Sequence, residues 1–335
     1  MSVEFKKSVR KETKETYKFL VFASTRAELI KLAPMIMEMK RQNLDYSVIA
    51  SGQHSLDNLA KSFGIKIDKY LTEPQKGSSR FGFSKKKALL WSFKMFGLAR
   101  KLLREEYFKN TKTYAIVHGD TLSSCVIGFA AHQEMIDLIH IEAGLRSFNN
   151  KEPFPEELCR RVIDRYANVF FTPTKEATEN LKGKDNVYFV GNTIFDLLES
   201  YKLKTKDGDY IIASVHRQEN MKSEERMRII VDILNWCNCP VILFAHDPFI
   251  DALNKFGLKL NNNVEVKKLV SHKEVIKQLV NSKMIICDGG SLYEEGCYYH
   301  KPFIMLRAWT ERKEMYTKPG ASKKIVSILK EMIEK

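Results

Sequence analysis

The chain has 335 residues, of which 44% are hydrophobic, and its formal net charge at pH 7 is +14. This length exceeds one ordinary core and suits two domains, and the hydrophobic share excludes a largely disordered chain. No apolar run is long enough to cross a bilayer, and residues 1–17 lack the apolar middle of a secretory signal. We therefore expect a polar tail at 1–17, two globular domains and a cytoplasmic location.

The positive charge is concentrated in one segment. Between Lys76 and Lys112 there are 11 Lys/Arg and 2 Asp/Glu residues, a net charge of +9. Apolar residues are interleaved with these charges, which predicts one or two amphipathic helices with a basic outer face. No nucleic-acid-binding signature accompanies the segment, so we expect no nucleic-acid partner. A weak contact with a membrane surface stays open as an alternative.

In the first half of the chain, short apolar runs alternate with helical spacing. Helical periodicity covers residues 30–39 and 125–135. The predicted strands are residues 19–23, 46–50, 114–118, 138–141, 169–172 and 187–190. Because strands alternate with helices, the pattern indicates a parallel sheet that is covered on both faces.

The alternation stops in a polar stretch at residues 202–209 and then restarts. The predicted strands of the second half are residues 210–215, 241–245, 284–287 and 303–306. This pattern predicts an α/β protein with two doubly wound, Rossmann-like domains that face a cleft. The predicted limits are 18–200 for the first domain, 209–318 for the second and 319–335 for a last helix.

Three acidic residues follow or begin different local elements in the first half. Asp120 and Glu142 come directly after predicted strands, and Glu156 follows a proline-rich turn. Carboxylates that converge from separate loops suit proton transfer. Nearby arginines, such as Arg160, suit an anionic substrate.

A glycine turn in the second half is typical of a phosphate site. The run Asp288-Gly289-Gly290-Ser291 follows a predicted strand and precedes a helical segment, so backbone N–H groups can approach an oxyanion there. A Walker lysine and a full Gly-x-Gly-x-x-Gly fingerprint are missing from the sequence, which argues against an NTPase or a dinucleotide enzyme. Arg26 lies in the first strand–helix turn, where an arginine can pair with phosphate. The sequence therefore favours a nucleotide-sugar site.

A set of motifs in this order, over about residues 18–315, resembles the non-hydrolysing UDP-N-acetylglucosamine 2-epimerases. The motifs are Ser24–Pro34, Ser51–His54, His118–Thr121, His140–Arg146, Pro153–Glu157, Gly191–Thr193, His216–Asn220, Asp288–Ser291 with Glu294-Glu295, and Thr310–Arg312. The resemblance implies a glycosyltransferase-B-like fold, with the last helix returning to the first domain. It also implies an isomerase that inverts C2 of a UDP-sugar through elimination and re-addition of UDP, as a homodimer and with no metal or other cofactor.

The resemblance also assigns roles to individual residues. The implied catalytic residues are Asp120, Glu142, Glu156 and His216. The implied UDP-binding residues are Arg26, Lys31, Arg160, His246, Asp288, Gly289, Gly290, Ser291, Glu295 and Arg312. Gln53 and His54 correspond to a possible activator site, which the resemblance identifies with the motif Gln-His-x-Gln. This chain has Leu56 in place of the second glutamine, so we expect weak or absent activation by substrate.

Several alternatives stay open at this point. Arg26-Ala27-Glu28 has features of the hydrolysing epimerases, which release free N-acetylmannosamine and UDP. A related epimerase that acts on a modified UDP-sugar is a further reading. From other classes, a glycosyltransferase would need an acceptor site, and a non-catalytic nucleotide-sugar sensor would not need the three acids. Which acid serves which face of C2 is not fixed by the sequence.

Overall fold

The computed structural model describes residues 16–74, 85–107, 109, 111–149, 155–206, 208–268, 270–307 and 317–334. The elements of the first half are β1 (Tyr17–Ala23), α1 (Arg26–Arg41), β2 (Tyr46–Ala50), α2 (Asp57–Ser62), β3 (Lys69–Tyr70), α3 (Lys85–Tyr107), β4 (Lys112–His118), α4 (Leu122–Gln133), β5 (Asp137–Ile141), α5 (Glu156–Tyr166), β6 (Val169–Thr172), α6 (Lys175–Glu179), β7 (Val187–Phe189) and α7 (Thr193–Ser200).

The second half continues the alternation of strands and helices. Its elements are β8 (Ile211–Val215), α8 (Gln218–Lys222), α9 (Glu224–Asn235), β9 (Val241–Ala245), α10 (Asp247–Phe256), β10 (Val264–Lys267), α11 (His272–Val280), β11 (Met284–Cys287), α12 (Ser291–Tyr298), β12 (Phe303–Met305) and α13 (Ala321–Glu334).

These strands form two parallel sheets. The strand order is β3-β2-β1-β4-β5-β6-β7 in the first sheet and β10-β9-β8-β11-β12 in the second. In each sheet the order reverses beside the first strand of that half, which is where open parallel sheets bind ligands. The α/β class predicted from the sequence is confirmed.

The central strands are apolar because both of their faces are covered. Phe19, Val21 and Ala23 of β1 are fully buried, as expected for a parallel strand between two helix layers. The helix that follows, α1, begins with a capping box in which the Thr25 side chain accepts from the Glu28 N–H. This cap fixes the first turn of α1 at the carboxyl end of β1.

The last helix, α13, packs against α1 and α7 of the first half. Ile325 and Leu329 of α13 are fully buried, and the Asp196 carboxylate accepts from the Ser322 N–H at 2.7 Å. The first sheet is therefore covered in part by a helix from the end of the chain. We propose the limits predicted above, 18–200 and 209–318 with a last helix at 319–335, as the domain boundaries. None of the helices formed by the described residues combines the length and hydropathy needed to cross a bilayer.

Candidate active site

A cavity of about 1120 Å³ lies where the carboxyl ends of the two sheets meet. The first sheet contributes the turns after β1 and β2, and the second contributes the turns after β8, β9 and β11. Its wall includes Thr25, Arg26, His54, Ser55, Ser214, His216, Lys222, His246, Lys255, His272, Gly289, Gly290, Ser291 and Glu295. The structure thus brings to one cavity most of the residues predicted to bind UDP.

The turn after β11 needs glycine at position 290. The φ angle of Gly290 is +77°, in the left-handed region that glycine enters without strain. A Cβ on Gly290 would lie 2.9 Å from Cε1 of His216. The lack of a side chain therefore lets His216 approach the start of α12, where free N–H groups and the positive end of the helix dipole favour an anion.

Asp288 lies behind this turn and holds the His216 loop. Its carboxylate is fully buried, accepts from the N–H groups of His216 at 3.0 Å and Arg217 at 2.8 Å, and lies 2.9 Å from Nδ1 of His216. Burial alone would raise the pKa of Asp288, but the His216 ring and these N–H donors outweigh it and lower that pKa to about 2. Asp288 therefore orients His216 from within the protein, with Nε2 directed away from it.

Glu295 is fixed in the cavity wall by a chain of hydrogen bonds. Nε2 of His272 lies 2.9 Å from Oε1 of Glu295, and Nδ1 of His272 lies 2.8 Å from the Tyr201 hydroxyl. Because a carboxylate can only accept, Nε2 of His272 carries the hydrogen of the bond to Glu295, and in that tautomer Nδ1 accepts from the Tyr201 hydroxyl. The Nε2–H of His272 then donates to Glu295, whose carboxylate is held ready to accept from ligand hydroxyls.

Two of the three predicted catalytic acids form a cluster beside the His216 loop. The Arg160 guanidinium contacts the Asp120 carboxylate, and NH1 of Arg217 lies 3.4 Å from Oε1 of Glu156. Burial, and then the nearby Asp120 carboxylate, raises the pKa of Glu156. Within the described part of the chain, Oε2 of Glu156 is buried without a hydrogen-bond partner. This cluster joins the cavity through the adjacent residues His216 and Arg217.

The third acid, Glu142, is buried next to Lys31. Nζ of Lys31 lies 2.9 Å from Oε1 of Glu142, and Nε2 of His118 lies 3.3 Å from Oε2. The φ angle of Glu142 is +65°, a left-handed conformation that costs free energy for a residue other than glycine and recurs at functional sites. Lys31 was predicted to bind UDP, but it is 4% exposed and is not part of the cavity wall.

A buried network supports the loop that carries Asp120. Nε2 of His140 lies 2.8 Å from the Gly119 carbonyl oxygen, and Nδ1 lies 2.7 Å from the Asp164 carboxylate. The other oxygen of Asp164 pairs with Arg146 at 2.7 Å. His140 therefore positions the Gly119-Asp120 turn, and Arg146 acts on it through Asp164.

Glu28 was not predicted as a site residue, although it lies in the first motif. Its carboxylate accepts from the N–H groups of Ser24 at 2.6 Å and Thr25 at 3.0 Å, and from the hydroxyls of Thr121 at 2.7 Å and Ser124 at 3.1 Å. Burial outweighs these hydrogen bonds and raises the pKa of Glu28 to about 7. Glu28 thus connects the Arg26 turn with the Asp120 turn.

The remaining predicted residues have different placements. Oε1 of Gln53 accepts from the Ser123 hydroxyl at 2.8 Å, whereas His54 is in the cavity wall. Arg312 lies outside the described residues. Among the residues that the structure describes, His, Cys, Asp and Glu side chains form no grouping that could hold a metal ion.

Comparisons with known proteins agree with this geometry. Residues 37–334 match the model of the family described as UDP-N-acetylglucosamine 2-epimerase. The chain is 31% identical to the UDP-N-acetylglucosamine 2-epimerase of Methanocaldococcus jannaschii, over 89% of this chain and 85% of that protein. It is 28% identical, over 90% and 86%, to the UDP-2,3-diacetamido-2,3-dideoxy-D-glucuronate 2-epimerase of Pseudomonas aeruginosa.

The fold is similar to a solved structure with bound nucleotide. The crystal structure of the Methanocaldococcus jannaschii UDP-GlcNAc 2-epimerase in complex with UDP-GlcNAc and UDP matches with a TM-score of 0.74 and 25% identity. The match covers 95% of this chain and 93% of that one. The predicted glycosyltransferase-B-like arrangement of two parallel sheets is confirmed by this likeness.

Proposed function

The chain belongs to the UDP-N-acetylglucosamine 2-epimerase family, and from this premise we propose that it interconverts UDP-N-acetylglucosamine and UDP-N-acetylmannosamine. The observation that carries the proposal is that a cavity suited to an anion lies next to a pair of acidic side chains. An anion-binding cavity with the Gly289-Gly290 turn, His216 and Glu295 in its wall adjoins the acids Asp120 and Glu156 through the Arg217–Glu156 contact. One feature suits a nucleoside diphosphate, and the other suits proton transfer.

In the proposed complex, UDP lies along the second sheet. The diphosphate is bound at the start of α12 and next to His216, with Arg26 across the cavity on the first turn of α1. The ribose hydroxyls donate to Glu295, which His272 holds in place. These groups stabilise the charge that develops on the diphosphate as it leaves C1.

The proposed reaction begins with removal of the C2 proton by a carboxylate. The electron pair of the C2–H bond forms a double bond to C1, and the C1–O bond breaks with its electron pair going to UDP, which leaves a 2-acetamidoglucal. UDP then adds back to C1 while an acid delivers a proton to the opposite face of C2. Two faces require at least two proton-transfer groups whose environments differ.

The carboxyl groups of Asp120 and Glu156 lie in different environments. The Asp120 carboxylate contacts the Arg160 guanidinium, and we assign the role of base to Asp120. Burial raises the pKa of Glu156, which suits an acid that delivers a proton. Glu142 lies beside the turn that carries Asp120. A Cβ on Gly119, in that turn, would be 3.8 Å from Oε2 of Glu142. We assign Glu142 to the same proton-transfer chemistry.

We further propose a non-hydrolysing outcome, assembly as a homodimer and little activation by substrate. The motifs around His54 and Glu142 resemble the non-hydrolysing branch. One observation favours a second substrate: the relative from Pseudomonas aeruginosa is named for a diacetamido-glucuronate sugar. A modified UDP-sugar of that kind is therefore the second candidate.

The test is a product analysis. Purified protein is incubated with UDP-N-acetylglucosamine, and the products are separated by anion-exchange chromatography. We expect a mixture of UDP-N-acetylglucosamine and UDP-N-acetylmannosamine. The final ratio of the two should be the same when the reaction starts from UDP-N-acetylmannosamine. Accumulation of UDP with free N-acetylmannosamine would replace the non-hydrolysing assignment with the hydrolysing one. Turnover of only the diacetamido sugar would transfer the activity to the second candidate.

A further inference from the structure

Lys31 lies where the two halves of the chain meet. Its Nζ is 2.9 Å from Oε1 of Glu142, which follows β5 of the first sheet, and 2.8 Å from Oε2 of Glu294, which belongs to α12 of the second half. The side chains of Lys31, Glu142 and Glu294 are 5%, 5% and 0% exposed. Asn192, the N-cap of α7, donates to Glu294 at 3.2 Å. One buried cation therefore joins two carboxylates that are far apart in sequence.

The ion pairs depend on each other. A buried charge without a partner is much less stable than the same charge in water, whereas a buried pair is tolerated when its hydrogen bonds are satisfied. Lys31 pairs with both carboxylates at once and donates a hydrogen bond to each. If Lys31 were turned towards the diphosphate, Glu142 and Glu294 would lose this shared cation, so the observed arrangement opposes a role as phosphate ligand.

Helix α12 connects this triad with the nucleotide site. Gly290 and Ser291 at its start, and Glu295, are in the cavity wall. Glu294 is the neighbour of Glu295 on the helix and points in a different direction, because successive helical residues are about 100° apart. A displacement of α12 therefore changes the contact of Lys31 and, through Lys31, the position of Glu142.

We propose that Lys31 is a positioning residue: it holds Glu142 against helix α12, so that the position of this acid depends on the contact between the two halves of the chain. The proposal rests on the function proposed above, which gives Glu142 its part in proton transfer. It removes Lys31 from the residues that bind UDP, and it makes Glu294 the contact through which the second half of the chain acts on the first.

The test compares three variants by two measurements. Isothermal titration calorimetry gives the Kd for UDP, and exchange of the C2 proton of UDP-N-acetylglucosamine in deuterated water gives kcat. In Lys31→Met we expect kcat to fall about 100-fold, the loss typical of a misplaced catalytic group, with a Kd for UDP within about threefold of the wild type. Glu294→Gln keeps the shape and the Asn192 bond, and we expect kcat to fall about tenfold with an unchanged Kd.

Glu295→Gln is the matched control, because it removes one carboxylate from the next position of the same helix. This carboxylate faces the cavity, so we expect the Kd for UDP to rise about tenfold. If Lys31→Met weakens UDP binding as much as Glu295→Gln does, Lys31 is a phosphate ligand and the proposal is overturned. If Lys31→Met does not fold, Glu294→Gln decides, and a wild-type kcat in that variant overturns the proposal.

The proposed function and this inference fail separately. A wild-type protein that shows no exchange at C2 would contradict the epimerase proposal. The Kd values for UDP would still show whether Lys31 contributes to UDP binding, since binding of UDP needs no turnover. An unchanged Kd in Lys31→Met beside a raised Kd in Glu295→Gln would support the placement in either case.

Discussion

Glu28 predicts a pH dependence of stability that a single substitution should remove. Replacing Glu28 by Gln keeps the shape of the side chain. Its carbonyl oxygen can accept from the N–H groups of Ser24 and Thr25, and its NH2 group can donate to the hydroxyls of Thr121 and Ser124, which are able to turn. The variant therefore loses a titrating group without leaving a buried donor unsatisfied.

The magnitude follows from the shift. Burial raises the pKa of Glu28 from 4.5 to about 7, so the folded state binds this proton more tightly than the unfolded state does. The resulting stability is fully present below the unfolded pKa and is lost as pH rises through the folded pKa. The full interval corresponds to about 3 kcal/mol, most of which falls between pH 5 and pH 8.

The assay is urea unfolding followed by circular dichroism, at several values between pH 5 and pH 8. The free energy of unfolding of Glu28→Gln minus that of the wild type should increase by about 2–3 kcal/mol over this range. Glu38→Gln is the control on the same helix, because its pKa is lowered, chiefly by Arg41, so its difference from the wild type should stay constant. A difference for Glu28→Gln that does not change with pH would mean that the pKa of Glu28 is not raised in the folded protein.

Three further predictions concern the site. Asp120→Asn should reduce kcat about 1,000-fold, because it removes a proton-transfer group, and should leave the calorimetric Kd for UDP unchanged; wild-type turnover would contradict the mechanism. Gly290→Ala places a Cβ 2.9 Å from Cε1 of His216 at a φ of +77°, so we expect UDP affinity to fall about tenfold and Tm to decrease, whereas wild-type affinity would count against the close approach. Because the motif at Gln53 lacks its second glutamine, initial rates should depend hyperbolically on substrate, and a sigmoidal curve or a lag in the reverse direction would show that activation persists.

The sequence was most informative where a buried strand ends in a glycine or a polar turn. Strands β2, β6, β9 and β11 have the predicted bounds, because a run of four or five mostly apolar residues in an α/β chain has few other places to pack. The two strands that were not predicted, β3 and β10, lie at the edges of their sheets. They are short and half-exposed, so their residues carry little hydrophobic signal.

In the basic segment, the sequence predicted helical structure but not which apolar side chains are buried. Over residues 85–107, the part of this segment that forms a described helix, the structure has α3, and one or two amphipathic helices were predicted. Met95 and Leu103 are buried, but Leu89, Leu90 and Phe93 are 58%, 69% and 65% exposed. Helical periodicity predicts that a side of the helix is apolar, and the tertiary packing determines how much of that side is covered.

Site partners were the least predictable part. Local motifs located the acids, the glycine turn and His216, because each motif is read within a few residues. The contact between Lys31 and Glu294 spans 263 residues, and that between Glu28 and Thr121 spans 93. Such pairs depend on how helices pack on the sheets, which residue spacing does not specify, so the contacts of Lys31 with Glu142 and Glu294 were not predicted.

Proton NMR of UDP-N-acetylglucosamine, incubated with the purified protein in deuterated water, follows the C2 proton on which the proposed epimerisation depends. We expect loss of the C2 proton signal together with the appearance of the anomeric signal of UDP-N-acetylmannosamine, since re-addition at C1 is coupled to delivery of a solvent-derived proton at C2. Formation of UDP-N-acetylmannosamine with the original C2 proton retained would contradict proton transfer through the acids of this site.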